Sequence, residues 1–68
     1  MTVASQVKQT LEGLKSVQGT LRIYSVQEQD EEARAAFSKA LEVTGDVIYD
    51  LEKRMQVLEL QEPQYKGN

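Results

Sequence analysis

The residues with the clearest spacing for chemistry are three carboxylates, Glu42, Asp46 and Asp50, which recur at four-residue intervals. On a helix this spacing aligns the side chains, so that their oxygens could ligate a divalent metal as in carboxylate-bridged helical bundles. Those bundles pair a glutamate with a histidine three residues later, and this chain contains no histidine. Arg54 also follows Asp50 at the spacing of an ordinary ion pair. We therefore predict no metal site and no cofactor, with a ligand- or divalent-metal-binding bundle as the alternative interpretation.

The side chains needed for catalysis are missing from the composition. Neither histidine nor cysteine occurs among the 68 residues, so the commonest general base and the thiolate nucleophile are both absent. A serine or threonine nucleophile requires a base to activate it, and the usual base is histidine. Thr10 and Thr44 are instead predicted to bond to the carbonyl four residues earlier or to specify the register of a bundle. We expect no enzymatic activity.

A basic ridge is formed by Lys8, Lys15 and Arg22, which recur at seven-residue intervals. Nucleic-acid surfaces usually carry more cations with interleaved aromatic side chains, and a net charge of −3 repels phosphate backbones on average. Nucleic-acid binding through these three residues is therefore the less favoured interpretation. The other interpretation is that the ridge borders the row of carboxylates described above, where opposite charges favour antiparallel pairing of two helices.

Two helices are predicted to carry these side chains. Apolar residues over Val3–Tyr24 recur at steps of three and four, and the same period resumes at Ala33. A single unbroken helix would place the two apolar stripes roughly 135° apart at ~100° per residue, so a chain reversal is expected. Asp30 is suited to cap the second helix, and Pro63 disfavours helical geometry at the residue before it. We predict one domain over residues 1–68, with a helix over 3–26, a turn over 27–30, a helix over 31–62 and an extended tail over 63–68.

The apolar stripe of the second helix is wider than one partner helix can cover. It contains three rows at helical spacing, namely Phe37, Thr44, Leu51 and Leu58, then Ala33, Ala40 and Val47, then Leu41, Ile48 and Met55. A second copy of the chain is the natural cover, because a symmetric pair of hairpins supplies the missing layer. We predict an all-α fold, in which a two-helix antiparallel hairpin self-associates into a four-helix bundle. The residues predicted for self-association are Phe37, Leu41, Thr44, Ile48, Leu51, Met55 and Leu58.

Two tyrosines are candidates for contact with a partner. Tyr49 is predicted to lie roughly 145° from the apolar stripe, where it either marks a contact surface or lies flat over neighbouring side chains. Tyr65 is predicted to pin the tail across a neighbouring helix, unless the tail is a frayed terminus. Ile23 and Val26 fall in the phase of the second stripe, and we expect them to cover the tip of the hairpin or to touch another chain.

The sequence predicts neither export nor a membrane span. No more than three apolar residues stand together, and the first six residues contain no basic stretch followed by an apolar run. We therefore expect a cytoplasmic protein.

Three segments resemble a known family of short proteins. They are the start Met1-Thr-Val-Ala-Ser-Gln-Val-Lys-Gln-Thr-Leu, the middle Glu32-Ala-Arg-Ala-Ala-Phe and the close Glu62-Pro-Gln-Tyr-Lys-Gly67. Together they resemble the domain of unknown function 1657 family over essentially the whole chain. The resemblance implies a stand-alone protein from an endospore-forming bacterium, in a family of which some members are encoded near spore-membrane transport components. It implies a link to sporulation and supplies no catalytic residue.

These observations predict a small, non-catalytic, self-associating helical interaction protein. Its expected partners are copies of itself and, by the family resemblance, another protein of a spore or membrane assembly. The resemblance adds the interior of the spore as an alternative location to the cytoplasm. It also makes the segment 62–67 a family hallmark, which favours docking of Tyr65.

Overall fold

The computed structural model describes residues 3–61, and residues 1–2 and 62–68 lie outside the described part. It consists of two α-helices, α1 (Val3–Gln27) and α2 (Glu31–Gln61). An all-helical chain with two helices that pack against each other is therefore confirmed. The predicted end of the first helix at residue 26 is one residue short of Gln27, and the second helix begins at Glu31 as predicted. The predicted end of the second helix at residue 62 and the predicted tail with Tyr65 lie outside the described residues. Neither helix carries an apolar stretch of the length required to cross a membrane.

The reversal between the helices is built on two acidic side chains, without glycine or proline. The Glu28 N–H donates to the Tyr24 carbonyl at 2.9 Å, which completes the last turn of α1. Glu28 Oε1 then accepts hydrogen bonds from the N–H groups of Gln29 and Asp30, at 3.0 and 3.1 Å. Asp30 Oδ2 accepts a hydrogen bond from the Ala33 N–H at 3.0 Å, which satisfies one of the unpaired amides at the beginning of α2. Asp30 is therefore the N-cap of α2, as predicted.

Contacts between the helices run in antiparallel order. Near the turn, the rings of Tyr24 and Phe37 lie with their centroids 5.5 Å apart. Farther from the turn, Lys15 Nζ lies 3.2 Å from a carboxylate oxygen of Glu52. Residue numbers thus fall along α1 as they rise along α2, which is the arrangement of a helical hairpin.

The hairpin is one helix thick. It measures 49 × 16 × 12 Å, and its Cα radius of gyration of 15.2 Å exceeds the ~11 Å expected of a compact domain of this length. Among the described residues, only Ala4, Leu11 and Ile48 are buried. Two helices side by side have no third layer over either broad side, so most of their apolar side chains keep one edge in water.

Candidate interaction surfaces

The acidic row predicted from the sequence lies on the outside of α2. Glu42, Asp46 and Asp50 are all exposed, and Glu42 is contacted by Lys39, whose Nζ lies 3.4 Å from Glu42 Oε1. Over residues 3–61, no group of three acidic side chains is placed to hold a metal ion. The interpretation as a divalent-metal bundle therefore gains no support from these side chains.

The basic ridge follows α1, and its middle cation forms an ion pair within the hairpin. Lys8, Lys15 and Arg22 are all exposed, and Lys15 pairs with Glu52. The acidic side chain beside the ridge is thus Glu52 and not a member of the predicted acidic row, which points away from α1. Each side chain of the pair is 46% exposed, so solvent screens the attraction and the pair contributes only ~0.5 kcal/mol.

We call the inner face the surface where the two helices meet. On α2, the seven residues predicted for self-association form this face, because Ile48 is buried and Phe37, Leu41, Thr44, Leu51, Met55 and Leu58 are half-buried. α1 covers most of each of these side chains. Only their outer edges are open to a second copy, so their role in self-association stays a prediction.

The two threonines make the backbone contacts expected of them. The Thr10 hydroxyl donates to the Gln6 carbonyl at 3.0 Å, and the Thr44 hydroxyl donates to the Ala40 carbonyl at 2.6 Å. Thr44 lies on the inner face, where this bond satisfies a hydroxyl that is partly removed from water. Neither hydroxyl is directed at a base.

The middle of the apolar stripe of α1 does not face α2, because the stripe is rotated toward one broad side of the hairpin. On α1 the inner face consists of Ala4, Val7, Leu11, Leu14, Gln18, Leu21 and Ser25. Three large residues of the predicted stripe, Val3, Val17 and Tyr24, remain about half exposed. The polar residues Gln18 and Ser25 occupy inner positions instead. One neighbouring helix covers a stripe roughly 100° wide, and the apolar pattern of α1 extends beyond that width on one side.

We call the apolar flank the broad side of the hairpin formed by Val3, Val17 and Tyr24 of α1 and Val43, Val47 and Val57 of α2. These six side chains are each 41–52% exposed. At ~100° per residue they project to the same side of the plane that contains both helix axes. Val47 belongs to the second of the three predicted rows of α2, with Ala33 and Ala40. Within that row Ala33 and Ala40 are half-buried, and Val47 is the member that α1 leaves exposed.

We call the charged flank the opposite broad side. It carries Lys8, Glu12, Lys15 and Arg22 of α1, which are all of the charged residues within α1, together with Glu52 and Glu59 of α2. By the same helical geometry, the residues of α1 that project toward the apolar flank carry no charge. They are Val3, Gln6, Thr10, Gly13, Val17, Thr20, Tyr24 and Gln27. On α2, charged residues of both signs border the apolar flank. They are Glu32, Lys39, Asp50, Lys53 and Arg54.

Two shallow grooves run along the apolar flank, near the end of the hairpin that is remote from the turn. The first is lined by Val3, Gln6, Val7, Thr10 and Leu51. The second shares Val7 and Leu51 with the first and continues over Val57 and Leu58. Its lining also includes the polar and charged side chains of Asp50, Lys53, Arg54 and Gln61. The outer edges of inner-face residues therefore form an apolar floor between the two helices, and side chains of another surface can enter there.

The remaining predicted contact residues lie away from the apolar flank. Tyr49 is exposed on the outer surface of α2, with Lys53 Nζ 5.3 Å from its ring centroid. This geometry is a cation–π contact at an exposed site, worth about 0.5–1 kcal/mol. Ile23 and Val26 are exposed on α1, so they do not cover the tip of the hairpin.

The sequence carried a signal for the apolar flank that the periodic pattern alone does not show. Apolar spacing identifies a stripe, but the position of charges around α1 identifies which side of that stripe faces water. Lys8, Lys15 and Arg22 mark one side, and the positions two or five residues away, on the other side of α1, are uncharged. The apolar spacing and the charge positions of α1 together predict an apolar flank. The width of the α2 stripe alone led instead to the prediction that the inner face of α2 mediates self-association.

No curated protein and no solved structure matches the chain. The family described as Protein of unknown function (DUF1657) matches residues 7–55, which is more than half of the chain. The matched range includes the turn, the Lys15–Glu52 ion pair and the greater part of both flanks. The chain therefore belongs to the domain of unknown function 1657 family.

Proposed function

We propose that this protein is a small, non-catalytic helical protein that associates with further copies of itself and acts through its surface. The supporting observation is the imbalance between buried and exposed apolar side chains. Three described residues are buried, whereas ten large apolar side chains are exposed. A chain of this size buries only ~60% of its surface even when compact, and a hairpin buries less, so a second layer contributes stability that one copy lacks.

The quaternary form that we propose is a four-helix bundle of two hairpins. Two packed layers around one core are the usual minimum of a stable domain, and a symmetric pair supplies both layers from one sequence. The absence of histidine and cysteine supports a role without catalysis, because the usual base and nucleophile do not occur. The family resemblance supports a cellular role as an accessory to a spore or membrane assembly, in the cytoplasm or within the spore.

The experiment that tests self-association is sedimentation of the full chain over a wide concentration range, together with thermal unfolding at the same concentrations. We expect a dimeric or larger mass at micromolar concentration and a melting temperature that rises with concentration, because mass action stabilises the associated state. A helical monomer with one melting temperature at all concentrations would contradict the proposal. Capture of binding proteins from sporulating cells then tests the accessory role.

A further inference from the structure

We propose that the second copy packs on the apolar flank, and that the charged flank stays in water. This inference rests on the proposed self-association and identifies its surface. It relocates the contact from the inner face, which α1 already covers, to the broad side formed by Val3, Val17, Tyr24, Val43, Val47 and Val57. Two hairpins joined through these flanks form two layers of two helices.

Charged side chains are distributed unevenly between the two flanks of α1. The charged residues of α1 lie on the charged flank, and its residues that project toward the apolar flank are uncharged over the whole helix. The cores of protein interfaces are depleted in charged residues, whereas solvated surfaces retain them. The charged residues of α2 that border the flank are of both signs, so two copies of the flank related by a two-fold axis are not forced to oppose like charges.

The apolar flank is large enough for an interface between two copies. Its six large side chains, each 41–52% exposed, leave roughly 400 Å² of apolar surface in water. The small residues between them, such as Gly13, Ala36 and Ala40, extend the patch along the 49 Å hairpin. An interface of standard size takes about 800 Å² from each partner, of which little more than half is apolar. The flank thus has the area that a stable dimer requires.

The surface of the apolar flank is grooved. Both grooves with Val7 and Leu51 in their floor open onto this flank, so a second hairpin can insert side chains between the helices. The other exposed apolar residues do not form a comparable surface. Ile23 and Val26 form a small patch beside Arg22 on one helix, Tyr49 lies beside Lys53, and Leu60 is exposed near the end of α2. A second copy on the apolar flank is the occupant that these features fit best.

The test compares two substitutions of the full chain. Val17→Glu places a carboxylate on the apolar flank, and Ile23→Glu places one on the outer side of α1. The two positions have similar exposure, because Val17 is 50% and Ile23 55% exposed. We expect Val17→Glu to raise the dimer dissociation constant at least about a hundredfold, because its charge must be buried without a partner, and Ile23→Glu to change it less than about threefold. Equal effects of the two substitutions would overturn the assignment of the flank.

A second measurement covers the case in which Val17→Glu fails to fold. The chain has no cysteine, so Val17→Cys and Ile23→Cys each accept a single nitroxide label. We expect the label at residue 17 to be immobilised at dimeric concentrations and mobile on dilution, and the label at residue 23 to be mobile in both. A mobile label at residue 17 in the dimer overturns the assignment.

The two proposals fail differently. If the unmodified chain is a monomer at every concentration, self-association is wrong and the flank has another occupant. Immobilisation of the label at residue 17 by neutral phosphatidylcholine vesicles would then assign the flank to a lipid surface, against our inference. If the chain is a dimer that tolerates Val17→Glu, self-association stands and only the surface is wrong.

Discussion

At the scale of single residues, one side-chain oxygen of Asp30 holds the beginning of α2. Asp30 Oδ2 accepts the Ala33 N–H at 3.0 Å, and the Asp30 carbonyl accepts the Arg34 N–H at 2.9 Å. We expect Asp30→Ala to lower the free energy of unfolding by about 1 kcal/mol, because only the side-chain acceptor is lost. Urea denaturation at fixed protein concentration measures the change. Asp30→Asn keeps the acceptor oxygen, and a loss as large as that of Asp30→Ala would contradict the capping role.

Gly19 weakens α1 without serving a contact in the hairpin. A Cβ atom added at Gly19 meets no other atom within 4 Å. We expect Gly19→Ala to raise the free energy of unfolding by about 1 kcal/mol, because alanine restricts the unfolded chain and favours helix. Ala35→Gly, at an exposed position inside α2, should lower it by a similar amount in the same urea experiment. Destabilisation by Gly19→Ala would reveal a contact at Gly19 that the isolated hairpin does not make.

At the scale of helices, the sequence was sufficient for the number of elements and for the position of the turn. The three-and-four spacing and the change of phase are local properties, and Asp30 supplies its cap within three residues. Which side of each stripe becomes the inner face was not predictable from spacing alone. Val17 belongs to the apolar pattern, yet Gln18 lies inside. The register of two helices is decided by contacts between residues distant in sequence, as at Lys15 and Glu52.

The packing of α1 on α2 depends on few buried side chains, of which Leu11 is the largest on α1. Leu11 is 5% exposed, whereas Val26 on the same helix is 76% exposed. We expect Leu11→Ala to lower the free energy of unfolding by about 2–3 kcal/mol, because it removes buried methyl groups and leaves a gap that a rigid helix pair fills poorly. Val26→Ala should change it by less than about 0.5 kcal/mol. Equal urea midpoints for the two variants would show that the inner face is not the core of the protein.

At the scale of the whole molecule, the sequence predicted that one hairpin cannot cover its own apolar residues, and the structure shows where the uncovered surface lies. The width of the α2 stripe indicated that α1 could not cover it all. The uncovered part proved to be Val43, Val47 and Val57 on one broad side, together with Val17 and Tyr24 from the other helix. A site shared by two helices requires their relative rotation, which is a tertiary property. The charge pattern of α1 indicates its own uncharged side, but the surface that both helices share was therefore not assigned from the sequence.

A comparison of two glycines distinguishes a bare apolar flank from a covered one. In a single hairpin Gly13 and Gly19 are equivalent, because a Cβ atom at either meets nothing within 4 Å. Gly13 projects toward the apolar flank and Gly19 away from it. If a second hairpin packs on the flank, the small residue at position 13 permits close approach of the backbones, and a methyl group there overpacks the interface. We expect Gly13→Ala to weaken the dimer about tenfold and Gly19→Ala to leave its dissociation constant unchanged, as measured by sedimentation.

The same pair of variants provides an internal control for helix stability. Both alanines improve the intrinsic stability of α1 equally, so any difference between them arises from what lies outside the hairpin. We expect the two melting temperatures to coincide at the lowest protein concentrations and to separate as concentration rises, with Gly13→Ala the lower. Coincidence at every concentration, in a chain that does dimerise, would place the contact on a surface other than the apolar flank.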